Sequence, residues 1–232
     1  MRLLLLILIP PLIFFALALL LLRLPWPAAL RPHQNLVTAI TMGVLGLVYV
    51  AGIAWYVIDV FVVNSRVLDP TFNALGFSSR PHLPFQRRYD GQFQGREVQA
   101  TYAPPLWNKP AVLYLYVPTS LTTRLAASSG GGLRLDCPGC QPCELSDALA
   151  AWQAQAADPA WATALLNESA VRQALPRLLG RPGETIQGEL YLQPGTFWLR
   201  LHGYQSLPAE QVQPWLKDLL AIIRAAEELP LQ

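Results

Sequence analysis

The sequence is poor in charged residues, and above all in lysine. Charged residues make up 14% of the 232 residues, and only two of the 17 basic residues are lysine. Residues 1–79 hold four arginines and two aspartates, whereas residues 80–232 hold 13 residues of each sign. Because nucleic-acid binding depends on neutralising phosphates, this neutral C-terminal part argues against a nucleic-acid partner.

The sequence also lacks the short motifs of common catalytic sites. It has no Gly-x-Ser-x-Gly elbow and no dinucleotide fingerprint, and its three histidines are not spaced as metal ligands. The glycine run at 130–132 is not followed by the Gly-Lys-Ser/Thr of a phosphate loop. These absences favour a non-catalytic protein, although an active site assembled from distant residues would leave no motif.

Two long apolar runs without charge, residues 3–22 and 36–58, are present instead. A helix of 20 residues rises about 30 Å, the thickness of a bilayer's hydrocarbon core. A cleaved signal peptide is the rival interpretation of the first run, but that run is long for one and lacks a clear cleavage motif. We therefore predict an N-terminal transmembrane hairpin of two helices within residues 1–63, inserted in the lipid bilayer of the cell membrane.

The second apolar run carries small residues at helical spacing. Ala39, Gly43 and Gly46 allow a close approach by another helix, which is the first run, another membrane protein or a second copy of the chain. Asp59 either has a role within the membrane or lies at the headgroups and ends the span. The distribution of arginines favours cytoplasmic termini, and hence a cytoplasmic domain.

Residues 64–84 are interpreted as a linker, because proline, glycine and serine interrupt them. Residues 85–232 then form one soluble domain of ordinary size. Hairpin turns are predicted at Gln94-Gly95 and Pro194-Gly195, since strand patterns flank both pairs.

The remaining patterns complete the predicted domain. Short helices are expected within residues 159–179, and a long amphipathic helix over residues 208–229. The order of elements predicts an α+β fold with an antiparallel sheet. Trp198, Arg200 and His202 share one face of the second hairpin, which is either a binding surface or an ordinary solvated sheet face.

All three cysteines, Cys137, Cys140 and Cys143, lie within seven residues. Thiolates two residues apart suit a zinc site, and a third at the same spacing suits an iron–sulfur cluster. A fourth ligand would have to come from Asp136, Glu144, a histidine or a second subunit. The alternatives are a local disulfide with one spare thiol, or a reduced surface loop without function.

Several segments together resemble a known group of proteins. They are Gly91 with Gly95-Arg96, the sequence ADPAWATALL at 157–166, the sequence VRQALPRLL at 171–179, and the closing hairpin and helix. This pattern resembles uncharacterised bacterial membrane proteins with two N-terminal spans and a soluble domain of unknown function. The resemblance covers most of residues 37–229 and implies architecture only, because the group brings no catalytic residues.

Two functional hypotheses follow from the sequence. The first is a membrane-anchored, non-catalytic interaction or accessory protein, whose domain or spans bind another membrane protein or a second copy. The second is a metal- or redox-active protein that uses Cys137, Cys140 and Cys143.

Overall fold

The computed structural model describes residue 16 and residues 34–83, 85–105, 109–129, 137–145, 149–181, 183–205 and 207–230. The chain divides into two compact units, Met1–Val60 and Phe61–Gln232. The sequence places the domain boundary later, with a linker at 64–84.

Helix α1, Gln34–Ser65, is a long apolar helix. Its segment Asn35–Trp55 is long and apolar enough to cross a membrane, as judged from length and composition. Large apolar side chains are exposed along it, including Leu47 at 73% and Trp55 at 75%. The backbone stays helical through Asp59, so this residue does not end the helix.

The predicted two-helix hairpin is wrong. Within the described residues, one helix near the N-terminus qualifies as a membrane span rather than two. Apart from residue 16, the first predicted span, 3–22, lies outside the described residues. An apolar run shows only that a segment favours a non-aqueous environment. A hairpin also requires a second helix that packs against the first, and hydropathy does not predict such packing.

The second unit is an α+β domain with an antiparallel sheet, as the sequence predicts. Its helices are α2 (Asp69–Ala74), α3 (Pro159–Asn167), α4 (Ser169–Leu179) and α5 (Val212–Glu228). Its strands are β1 (Ser78–Pro81), β2 (Arg87–Phe93), β3 (Arg96–Ala103), β4 (Ala111–Pro118), β5 (Leu125–Ser129), β6 (Gln141–Pro142), β7 (Trp152–Ala156), β8 (Ile186–Gln193) and β9 (Thr196–Gly203). In the described part of the chain these strands form one sheet, ordered β1-β2-β3-β4-β9-β8-β5-β7-β6.

Both predicted hairpins are confirmed. Strands β2 and β3 are antiparallel, and Phe93 and Arg96 are the paired residues next to the turn. Strands β8 and β9 are likewise antiparallel and are joined by Pro194-Gly195. Gln94 and Gly95 have φ angles of 51° and 79°, the two positive values that a type I′ turn requires. Local turn chemistry therefore sets the register of both hairpins.

The segment interpreted as a linker belongs instead to the domain. It contributes α2 and the edge strand β1, and its Phe72 and Phe77 are buried in the core. Tyr89 of β2 stacks on Phe72 at 4.1 Å, and its hydroxyl donates a 2.8 Å hydrogen bond to Asp69. Elements of six and four residues are too short to show periodicity, which is why the sequence pattern misses them.

The apolar core lies between one face of the sheet, here the inner face, and the helices. Alternate residues of β4 and β9, among them Leu113 and Leu199, are fully buried together with Leu219 and Ile222 of α5. Helix α4 approaches β8 closely at Gly188, where a Cβ atom would overlap the backbone of α4. The side chains that alternate with these buried residues lie on the opposite face of the sheet, here the outer face.

An ion pair ties the C-terminal helix to the sheet. Arg96 donates hydrogen bonds to both carboxylate oxygens of Glu227, and the Thr119 hydroxyl donates to one of them at 2.8 Å. The hydrogen bonds from Arg96 are the main cause of the lowered pKa of Glu227, and they outweigh the opposing effect of its burial.

We expect Glu227→Gln to lower the free energy of unfolding at pH 7 by about 1 kcal/mol. A carboxylate whose pKa is lowered by folding stabilises the protein above its unfolded pKa, and this contribution disappears as the pH falls through the folded pKa. Thermal melts of the full chain in detergent should therefore show wild type and variant converging below about pH 4.5. The exposed neighbour Glu228 provides the control, Glu228→Gln; a pH-independent difference for Glu227→Gln would contradict the prediction.

Candidate functional site

The outer face of the sheet carries two rows of side chains that cross several strands. The first row consists of Gln99, Tyr116, Trp198 and Tyr191, which are successive cross-strand partners on β3, β4, β9 and β8. We call it the aromatic row. The second row consists of Thr101, Tyr114, Arg200, Glu189 and Ser128, which are successive partners from β3 to β5. We call it the charged row.

The rings of the aromatic row contact one another across the strands. Tyr191 and Trp198 stack with centroids 4.0 Å apart and an interplanar angle of 10°. Tyr116 lies 6.4 Å from Trp198 and 6.0 Å from Tyr114, the aromatic member of the charged row. Ring pairs at these separations stabilise each other by about 0.5–1.5 kcal/mol beyond their burial. The face therefore presents half-buried aromatic rings on β4 and β9, which continue into the buried ring of Tyr191 on β8, only 6% exposed.

The charged row is centred on Glu189, which is only 2% exposed. Arg200 donates a hydrogen bond to Glu189 Oε2 at 3.2 Å, and the Tyr191 hydroxyl donates to the same oxygen at 3.3 Å. The Arg200 guanidinium also lies 5.9 Å from the centre of the Tyr114 ring. A buried carboxylate is tolerated when it is paired in this way, and loss of its partner is costly.

His202 lies beside the charged row on β9. Burial lowers the pKa of His202, and Glu189 opposes this effect only in part, so the ring is neutral at neutral pH. His202 Nε2 and Arg200 Nε are both buried, and neither has a hydrogen-bond partner among the described residues. Buried polar atoms are normally paired, so these two nitrogens are exceptions to the usual pairing.

A groove of about 880 Å³ extends the outer face across β2, β3 and β4. Its wall includes Arg88, Asp90, Gln99 and Tyr116. Arg88 donates hydrogen bonds to Asp90 and Gln99, both at 2.9 Å, and Arg80 pairs with Asp90 at 3.0 Å. The groove is therefore polar, with charges of both signs next to aromatic rings.

The structure separates the three cysteines of the predicted cluster into two kinds. Cys137 and Cys140 form a disulfide, with Cα atoms 5.4 Å apart. Cys143 is a free, half-buried thiol that packs against the apolar core. Burial raises the pKa of Cys143, and the charge of Asp158 adds to the rise. Of the three hypotheses for this segment, the arrangement matches a local disulfide with one spare thiol.

No group of three or more histidine, cysteine or carboxylate side chains that could hold a metal ion occurs in the described part of the chain. Asp136 lies outside the described residues. Zinc or iron–sulfur binding by Cys137, Cys140 and Cys143 would require reduction of the disulfide, and it stays a prediction.

Sequence reasoning found part of the outer face and missed the rest. Alternation along β9 predicts that Trp198, Arg200 and His202 share a face, and the structure confirms this. The burial of Glu189 and the addition of Tyr114 and Tyr116 could not be predicted, because they depend on which strands neighbour β9. The aromatic richness of residues 111–117 was the available signal.

We expect Glu189→Ala to lower the free energy of unfolding by about 1–3 kcal/mol, because Arg200 loses its carboxylate partner. The melting temperature of the full chain in detergent should fall by several degrees. Glu97→Ala, on the same face but exposed, is the control and should change stability by less than about 0.5 kcal/mol. Equal decreases in the free energy of unfolding for the two substitutions would show that the charged row does not stabilise the fold.

Comparisons with known proteins establish a shared fold. No family model and no curated protein matches this chain. Among solved structures, the mycobacterial trehalose monomycolate transport factor A, TtfA, is similar, with a TM-score of 0.51 and 9% sequence identity. The match covers 72% of this chain and 97% of that chain. At this identity the similarity concerns the fold alone.

Proposed function

We propose that this chain is a membrane-anchored, non-catalytic accessory protein whose outer sheet face binds another protein. The observation that carries the proposal is the aromatic row beside Arg200 and Arg88. Tyrosine, tryptophan and arginine are the residue types most enriched among the side chains that dominate binding energy at protein interfaces. Here Tyr116, Trp198 and Arg200 are half-buried on a face that the core helices do not use.

Helix α1 supports the membrane anchor. Its 32 residues correspond to about 48 Å, more than the roughly 30 Å that a hydrocarbon core requires. Its exposed leucine, valine and isoleucine side chains gain about 25 cal/mol for each Å² of apolar surface removed from water. The cytoplasmic location of the domain stays a prediction, because it rests on the two-helix topology that the structure corrects.

The same helix offers a surface for association within the membrane. A Cβ atom built on Gly43 would meet no described atom within 4 Å, so this side of α1 is open. We therefore keep Ala39, Gly43 and Gly46 as the face for a helix of another membrane protein or of a second copy.

The structural neighbour agrees with an accessory role. TtfA is named a transport factor, and 72% of this chain shares its fold. We infer that the domain assists another protein. We infer nothing for this chain about the molecule that TtfA transports. The resemblance to bacterial membrane proteins with a soluble domain supports the same proposal.

We expect Tyr116→Ala to weaken partner binding by about 10-fold or more, as substitution of a dominant interface residue does. The full chain would be purified in mild detergent after in-cell cross-linking, and partners would be measured by quantitative mass spectrometry. Tyr204→Ala is the matched control, since Tyr204 is 83% exposed and lies beyond the end of β9. Equal recovery with both variants, or a monodisperse monomer without partners, would refute the proposal.

We expect Gly43→Leu to reduce cross-linking through α1 severalfold, because the added side chain prevents close approach of a second helix. Gly52→Leu is the control: Gly52 is equally open, and nine residues of helix place it on the opposite side. Cross-linking in native membranes measures the effect. If both variants cross-link equally well, the small-residue face is not an interface.

A further inference from the structure

The cysteine loop carries chemistry that the accessory role does not use. Pro138 and Gly139 form a turn between the two bonded cysteines, and the backbone N–H of Cys140 donates to the Cys137 carbonyl oxygen at 3.0 Å. Gly139 has a φ of 77°, a conformation that suits glycine. Cys137 and Cys140 are both partly exposed to solvent.

This disulfide contributes little as a structural cross-link. It joins residues only three positions apart in sequence. The stabilisation from a disulfide grows with the length of the loop that it closes, because a longer loop loses more freedom in the unfolded chain. The bond also connects no two separate strands or helices, since both cysteines precede β6. Fold stability therefore gives no reason for the pair.

A groove gives access to one of the two sulfur-bearing residues. It has a volume of about 410 Å³, and Cys137 lines it together with Arg124, Tyr191 and Gln193. Arg124 donates a 3.1 Å hydrogen bond to the Pro138 carbonyl oxygen, which ties the turn to the residue before β5. The guanidinium of Arg124 thus adds positive charge to the wall of the groove, and positive charge favours an approaching thiolate.

Cys143, the third cysteine, is not part of the disulfide and packs on the side of the core. The backbone N–H of Cys143 donates to the Ala154 carbonyl oxygen at 3.0 Å, and its side chain packs against the apolar core. The disulfide of this loop is therefore partly exposed to solvent, whereas the thiol of Cys143 lies on the side of the core.

We propose that Cys137–Cys140 is a thiol–disulfide exchange site for a dithiol of another protein. A partner thiolate attacks Cys137 Sγ, a mixed disulfide forms, and the Cys137–Cys140 bond breaks with its electron pair on Cys140 Sγ, which takes a proton from water. The second partner thiol then loses its proton to water, attacks the partner's own sulfur and releases Cys137, which is protonated in turn. Two electrons and two protons pass to this chain, and the partner is oxidised to a disulfide.

This activity goes beyond the accessory role and does not depend on it. The outer-face variant Tyr116→Ala tests partner binding, whereas the cysteine variants below leave the aromatic row intact. Failure of one proposal is therefore distinguishable from failure of the other.

The test uses the full chain in detergent with dithiothreitol as the dithiol and oxidised glutathione as the disulfide. Thiols are counted by gel shift after alkylation with a large maleimide. Dithiothreitol should raise the count from one to three within minutes. Cys143→Ala should be reduced at the wild-type rate within about twofold, because Cys143 is not the residue attacked.

Variants in a Cys143→Ala background assign the attacked sulfur. There Cys140→Ser leaves Cys137 as the one thiol and should form a mixed disulfide with glutathione about tenfold faster than Cys137→Ser, which leaves Cys140. Equal rates would overturn the assignment. The exchange site itself is refuted if the wild-type bond resists dithiothreitol, if the double variant Cys137→Ser/Cys140→Ser melts many degrees lower, or if anaerobically purified protein contains stoichiometric zinc or iron on reduced thiols.

Discussion

The packing of α4 and α5 against the inner face of the central strands is the contact on which the rest of the domain depends. Leu113, Leu199 and the facing side chains of α5 are fully buried there, and each buried leucine contributes about 1.5–3 kcal/mol. Gly188 lets the backbone of α4 approach β8. Because side chains alternate along a strand, filling the inner face with apolar residues commits every intervening residue to the outer face.

The order of the strands determines which side chains are neighbours on the outer face. Placing β9 between β4 and β8 brings Tyr116, Trp198 and Tyr191 into one row and Arg200 beside Glu189 in the next. Polar groups that are distant in sequence thereby enter one partly buried environment, where their hydrogen bonds and charges matter more than in water. Among them, the side-chain nitrogens Arg200 Nε and His202 Nε2 are buried without a hydrogen-bond partner among the described residues.

Features that lie apart from this core have different physical origins. Helix α1 exposes apolar side chains along its length, as expected for a segment whose natural surroundings are not water. The disulfide loop lies near the far edge of the sheet, where short β6 leaves the cysteines on a turn rather than within a ladder. An edge loop of this kind changes its covalent state at little cost to the central packing.

Local features of the sequence determined much of this protein. The turns at Gln94-Gly95 and Pro194-Gly195, the alternating strands around them and the periodic apolar stripe of α5 each depend on residues close in sequence, so pattern alone predicts them and the α+β fold. The apolar composition of α1 likewise follows from the sequence. Only the tertiary structure decided that Asp69–Ala74 and Ser78–Pro81 add a helix and an edge strand to the domain, and that one described helix, not two, qualifies as a span. It also decided the partners of Glu189, because burial and strand neighbours depend on contacts between residues far apart in the chain.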